Sequence, residues 1–258
     1  MKHLQAHVLL IFLSIVIFTT ANGHHAMEYI EAESYSTAKL GEHIFHVHFD
    51  YMVEDRSNPQ MDHWEFTPGL SRGLSDFLMF DVHTHFAKFG NDLLVPGQQA
   101  EFAPMGPSPF LEAAAFTLQY RFPQIYVVDI AVVGTYEHPF DRSKTLLNGQ
   151  RVYEGALILS KDLFAHSNMV LNLRYGRDGD ESYSDWIFAA KTPLSADPHG
   201  IAAGLELLGT LEDGLDNVTL LPGFYLPLGS PNTIFKSGLA FGNNMESMRM
   251  NATLMYRF

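Results

Sequence analysis

The chain has 258 residues and a formal charge of −13, with 29 acidic against 16 basic side chains, which disfavours a nucleic-acid backbone as partner. It contains no cysteine, so disulfide frameworks, thiolate zinc sites, iron–sulfur clusters and cysteine nucleophiles are excluded together. Hydrophobic residues make up 47% and charged residues only 17%, without a mature stretch long enough for a membrane helix, which leaves a soluble β-rich domain or a membrane β-barrel.

Residues 1–23 read as a secretory signal. Lys2 supplies the positive start, Val8–Phe18 (VLLIFLSIVIF) is an apolar run broken only by Ser14, and Thr19–Gly23 is a small or polar exit. Cleavage after Ala21 or Gly23 would leave a still more acidic mature chain. Residues 24–41 follow, and 26–41 (AMEYIEAESYSTAKLG) are too polar for a lipid-facing strand. They are placed to cap or enter the mouth of whatever follows, as a plug.

From residue 42 to 258 the apolar residues alternate, which is the period of strands. In Glu42–Met52, Phe45, Val47, Phe49 and Tyr51 share one face, and His46, His48 and Asp50 the other. Met61–Leu74 sets Trp64, Phe66, Pro68 and Leu70 against His63, Glu65 and Thr67. Phe77–Phe89 sets Leu78, Phe80, Val82 and Phe86 against Asp81, His83 and His85. Phe110–Phe122 and Ile125–Tyr136 repeat the pattern, with Gln119, Arg121 and Asp129 on their polar faces. Arg151–Lys161 is less clean, because both of its faces carry aliphatics. Asn168–Tyr175 contributes Asn172 and Arg174, and Tyr183–Lys191 sets Trp186 and Phe188 against Asp185 and Lys191. Gly200–Leu208, Asn217–Leu226 and Thr233–Phe241 show weaker contrast, and the last segment opposes Met248, Met250, Leu254, Tyr256 and Phe258 to Arg249, Asn251, Thr253 and Arg257.

These are twelve strands of roughly the length and alternation of a transmembrane barrel. Links after odd-numbered strands are mostly longer (54–60, 90–109, 137–150, 176–182, 210–216, 242–247) and those after even-numbered strands mostly tighter (75–76, 123–124, 162–167, 192–199, 227–232), a contrast that fades toward the C-terminal end. Such barrels have short periplasmic turns and longer outer loops. The chain ends Leu254–Tyr256–Phe258, an alternating strand with a terminal aromatic, which resembles the assembly signal read by the barrel-assembly machinery of bacterial outer membranes. The expected architecture is all-β: a twelve-stranded antiparallel transmembrane β-barrel over 42–258, in contact with outer-membrane lipid and lipopolysaccharide.

In such a barrel the polar face lines the lumen. Parity sends His46, His48, Asp50, His63, Glu65, Asp81, His83, His85, Arg121, Asp129, Arg174 and Arg249 inward, with Glu206 and Lys236. His46/His48 and His83/His85 are i,i+2 pairs, each projecting from one face of its strand, and if consecutive strands are neighbours, His63 and Glu65 lie between them. Together with His24 and His25 at the processed N-terminus, these imidazoles are candidate ligands for copper, zinc or nickel. No closed ligand set follows from parity, so no cofactor is required. Gly69-Leu70-Ser71-Arg72-Gly73 fits G-x-S-x-G, but a nucleophile elbow needs a strand–turn–helix context that is lacking here, so Ser71 is not expected to be catalytic.

The stretches His24–Glu31, Asp62–Gly69 (DHWEFTPG) and Met79–Phe86 (MFDVHTHF) resemble the meta-pathway phenol-degradation family of outer-membrane proteins. The resemblance covers most of the mature chain and is densest over residues 24–90. It implies a small twelve-stranded channel linked by name to aromatic catabolism, with no catalytic residues to carry over. The reading is a channel for diffusion of small molecules, aromatic or hydrophobic compounds among them, and not an enzyme. A metal-binding or metal-transport protein and an outer-membrane hydrolase are the alternatives.

Overall fold

The computed structural model describes residues 29–53, 62–89, 110–123, 128–140, 151–163, 166–195, 197, 200–242 and 247–258. The proposed signal, His24, His25 and most of the long links lie outside them. Twelve strands form one closed antiparallel barrel: β1 (His43–Val53), β2 (His63–Gly73), β3 (Leu78–Phe89), β4 (Phe110–Arg121), β5 (Asp129–Pro139), β6 (Val152–Asp162), β7 (Asn168–Asp178), β8 (Glu181–Pro193), β9 (Ala202–Thr210), β10 (Val218–Pro227), β11 (Thr233–Phe241) and β12 (Met248–Arg257). Each pairs with its sequence neighbours, and β12 closes on β1 from Ile44↔Arg257 to Val53↔Met248. Closure leaves no strand edge with unpaired backbone groups. The seam extends to the last residue, where His43 and Phe258 exchange N–H···O bonds of 2.9 and 3.0 Å.

Alternation gives the barrel its two surfaces. Phe45, Phe66, Leu70, Phe80, Phe116, Leu118, Leu157, Leu205, Leu220 and Leu254 are exposed on the outside, forming an apolar band of the kind that meets lipid. Aromatics cluster at both ends of that band. Tyr120, Phe122, Tyr256 and Phe258 mark the end carrying the barrel's termini, and Phe49, Trp64, Tyr136 and Tyr153 the opposite end.

Two local features depart from simple alternation. Gly179 and Asp180 alone join β7 to β8, where a longer link over 176–182 is expected from the sequence. Gly179 has φ +57°, so Gly179-Asp180 makes a tight two-residue hairpin and both strands run on to it. In the β3–β4 ladder, His85 faces Ala113 and Phe86 faces Leu111, so Glu112 is the extra residue of a bulge, and its carbonyl accepts from Phe140 N instead.

The lumen is not uniformly polar. Ala131, Val133, Ala156, Ile158, Val170, Ile187 and Ala189, on β5 to β8, face inward and are buried. This explains the two aliphatic faces of β6: Leu157 points outward, while Ala156 and Ile158 pack inside against Tyr29 and Ala32.

Candidate functional site: a two-walled lumen and its N-terminal segment

One wall of the lumen is built by β1, β2 and β3. Asp81 is its hub. One carboxylate oxygen lies 2.7 Å from His46 Nε2 and accepts from Ser71 Oγ at 2.7 Å, and the other lies 2.6 Å from His83 Nδ1. His48 continues the ladder with Nδ1 2.9 Å from Thr253 Oγ1, and His85 Nε2 lies 3.8 Å from Glu137. The imidazoles follow one another at centroid distances of 5.0 Å (His46–His48), 6.2 Å (His46–His83) and 5.1 Å (His83–His85). Gly69 makes this possible. It sits between His46 and His83 in register, and a Cβ there would overlap the His46 ring and come within 2.7 Å of His83 Cβ.

The register corrects one expectation. Gly69 and Thr67, rather than His63 and Glu65, lie between the two histidine pairs, because the tight β2–β3 turn sets His83 opposite Gly69. Glu65 is level with Asp50, and His63 with Met52 at the far end.

The second part of the site is the segment preceding β1. Residues 29–40 enter from the end that carries the barrel termini, with Leu40 bridged to Gly73 at the rim. Strands on all sides hold its main chain through their side chains. Glu206 accepts three successive backbone N–H groups, from Ile30 (2.6 Å), Glu31 (3.0 Å) and Ala32 (2.8 Å). Asn172 accepts from Glu33 N at 2.5 Å and donates to Glu33 O at 3.2 Å, and Gln119 Nε2 donates to Ser34 O at 2.7 Å. Lys236 Nζ donates to Tyr29 O, and Tyr29 OH donates to Asn168 Oδ1. Glu31 takes Arg249 at 2.8 Å and Asn251 Nδ2 at 2.6 Å. Tyr29 and Ala32 lie on the apolar wall of β5 to β8, and Ile30 packs with Ala202, Leu221, Tyr225 and Ala240.

Between segment and walls is a cavity of about 490 Å³. Its floor is Tyr29 to Ser34 with Ser36. His46, His48, Asp50, Glu65, Asp81, His83, His85 and Arg174 line its sides. Seven carboxylate side chains border it against Arg174 and Lys236, so the space is acidic. Glu33 belongs to this lining. Its Oε2 is shut off from water and has no hydrogen-bond partner among the described residues. Burial, reinforced by nearby Glu154 and opposed by Arg174, pushes its carboxyl up to about 7.

The inward residues expected from parity therefore divide. Arg249 holds the segment through Glu31, away from the cavity lining. Arg121 and Asp129 stand at the terminal end, where Arg121 donates to Asp76 O at 2.7 Å and its guanidinium lies 5.9 Å from the Tyr35 ring centroid. Among the described residues no three His, Asp or Glu side chains converge closely enough to hold a metal ion. Asp81 occupies one nitrogen each of His46 and His83, the two rings nearest each other across strands. Ser71 donates to that carboxylate and, among the described residues, has no imidazole of its own as base, which is not a nucleophile arrangement. Parity puts Asn172 on a polar face without a role, and nothing in the sequence singles out Asn168 or Tyr225, because a lone amide or tyrosine on a strand has no spacing signature.

No protein-family model matches the chain, and no curated protein matches it. Solved structures do. A KdgM porin superposes with a TM-score of 0.54 at 11% identity, covering 83% of this chain and 99% of that one. The KdgM porin in complex with disordered oligogalacturonate gives 0.53 at 10%, with the same coverage. The outer membrane protein Omp33 of Acinetobacter baumannii gives 0.47 at 7% identity, over 84% and 98% of the two chains. The chain shares the fold of the KdgM barrel.

Proposed function

We propose that the protein is a bacterial outer-membrane channel for small molecules, with the barrel termini on the periplasmic side. The observation that carries this reading is the combination of a closed barrel, an apolar outer band between aromatic belts, and an ionisable lumen enclosing a cavity of about 490 Å³. Twelve strands enclose less room than the 16–18 of open porins, so passage is restricted. The acidic lining favours neutral and cationic permeants. A polyacid such as the oligogalacturonate of the KdgM complex would meet carboxylates here. Aromatic or hydrophobic compounds, which the family resemblance implies, would find apolar contacts on the β5–β8 wall once Tyr29 and Ala32 leave it. The seam at Phe258 fits a terminal strand presented to the barrel-assembly machinery, with Tyr256 and Phe258 facing lipid at the periplasmic end and lipopolysaccharide meeting the opposite end.

Single-channel recording of the purified protein in planar bilayers tests the proposal. We expect discrete conductance steps and, in a salt gradient, a reversal potential that marks cations as the preferred ions. No steps from either the full chain or a variant lacking residues 24–41 would overturn it.

A further inference from the structure

We propose that residues 29–38 are a displaceable gate: a built-in ligand of the lumen whose withdrawal opens the channel and uncovers the apolar wall beneath. This rests on the channel reading above and adds its regulation.

Three observations carry the inference. First, the segment is bound without being part of the barrel. All twelve strand pairings close without it, and its single ladder contact is the Leu40–Gly73 bridge at the rim. Its main chain is held by side chains from separate strands, Glu206, Asn172, Gln119 and Lys236. Releasing it therefore breaks no strand pair.

Second, the seat is shaped for this occupant. A carboxylate accepting three consecutive N–H groups selects one backbone geometry. The Ile30 side chain fills a notch left by two glycines. A Cβ on Gly223 would collide with Ile30 Cδ1, and one on Gly238 would come within 2.8 Å of it.

Third, the wall beneath makes sense only when covered. Val133, Ile158, Val170 and Ile187 turn apolar side chains into a lumen whose other side is charged, and Tyr29 and Ala32 keep water from them. Tyr29 to Ser34 also floor the cavity. With the segment withdrawn, the lumen becomes two-faced, with one wall of imidazoles and carboxylates and one of aliphatics. Such a pathway suits amphipathic permeants.

The absence of native cysteine makes the test clean. Ile30 Cγ1 lies 3.6 Å from the position of a Cβ at 223, within reach of a disulfide in an Ile30→Cys/Gly223→Cys protein. Replacing Ile30 by cysteine also removes the Cδ1 that such a Cβ would strike. We expect the oxidised protein to lose its conductance steps in planar bilayers and to regain them in dithiothreitol. The converse variant, Gly223→Ala, should lengthen the open time at least tenfold, with Ile30→Val/Gly223→Ala returning it toward the parent. A second readout does not depend on conduction. The thiol introduced by Ala32→Cys, at a buried position, should react with a water-soluble maleimide at least tenfold faster in the Gly223→Ala background. Heat-modifiable gel mobility verifies the barrel in each variant. Equal conductance of oxidised and reduced protein overturns the gate. So does equal labelling of the Ala32→Cys thiol in both backgrounds. If no variant conducts, including the one lacking residues 24–41, the channel reading fails, while the labelling ratio still decides whether the segment leaves its seat.

Discussion

The two walls of the lumen solve the same problem, an interior that must be filled, in opposite ways. The β1–β3 wall satisfies itself: Asp81 links His46, His83 and Ser71 with bonds of 2.6–2.7 Å contributed by three adjacent strands. The β5–β8 wall is largely aliphatic and is completed by another part of the chain, the segment at Tyr29 and Ala32. A polar wall can therefore stay in contact with solvent while its partner wall requires a cover. That asymmetry makes the first a fixed element of the barrel and the second a docking surface.

The largest expected effect breaks the self-sufficient wall. Asp81→Ala would leave His46 Nε2, His83 Nδ1 and Ser71 Oγ without their shared partner in a buried setting. Removing one member of such a buried charged network typically costs about 3–5 kcal/mol. Urea unfolding of the protein in lipid vesicles, followed by Trp64 and Trp186 fluorescence, measures it. On the opposite wall, Ile187→Val should cost only about 1 kcal/mol, as for other buried Ile→Val changes. A loss below about 1 kcal/mol for Asp81→Ala would mean that water substitutes freely for the carboxylate, and the contrast between the walls would disappear.

A smaller effect sharpens the contrast from the side of the cover. Glu33 is docked with its carboxyl raised to about 7 beside Glu154 and Arg174, whereas in a withdrawn segment it returns to the ordinary glutamate range. The docked form therefore holds its proton more tightly. Its contribution to docking is fully present below the glutamate range of about 4.5 and is lost as pH rises through about 7. The ratio of open to closed time in bilayers should rise from pH 5 to pH 8 by roughly tenfold or more, since one pKa unit corresponds to a factor of ten. Glu33→Gln should flatten that rise. An unchanged pH profile in Glu33→Gln would separate the carboxyl from the docking equilibrium.

How much of this is legible in the sequence follows from what reports locally and what does not. Alternation along each strand identifies the twelve strands and the outer face, because lipid imposes the same demand on every second residue. His46, His48, Asp81, His83 and His85 are placed inward by the same parity. Their partners are not, since register depends on where a turn closes: the short β2–β3 turn sets Gly69 between the histidines, where parity alone suggests His63 and Glu65. The mixed faces of β6 look ambiguous for a tertiary reason, namely that Ile158 is covered by residues more than a hundred positions earlier. Gly223 and Gly238 resemble ordinary weak spots in strands until Ile30 is seen between them. The polarity of residues 26–41 disqualifies them as a lipid-facing strand, but their seat is distributed over side chains from strands that share no motif.

The smallest expected effect tests where one wall ends and the other begins. Thr117 on β4 and Thr135 on β5 face each other across the seam with their hydroxyls 2.9 Å apart, and both border the cavity. On the β1–β3 side the lumen hydroxyls of Thr67 and Ser71 have polar partners in His85 and Asp81, and on the β5–β8 side Val133 follows Thr135 on the inward face. Thr135→Val alone removes one partner and should cost about 1 kcal/mol, the usual worth of a hydrogen bond whose other half is left behind. Thr117→Val/Thr135→Val replaces both by groups of the same shape and should be nearly neutral, because no orphaned hydroxyl remains. The double variant also extends the aliphatic strip by one strand, so apolar permeants should gain relative to cations in bilayer selectivity measurements. If single and double variants are equally stable, the hydroxyl pair is bathed by cavity water and the apolar wall ends at Val133. If only the single variant is weakened, the seam is dry, and the boundary between the two walls is this one hydrogen bond.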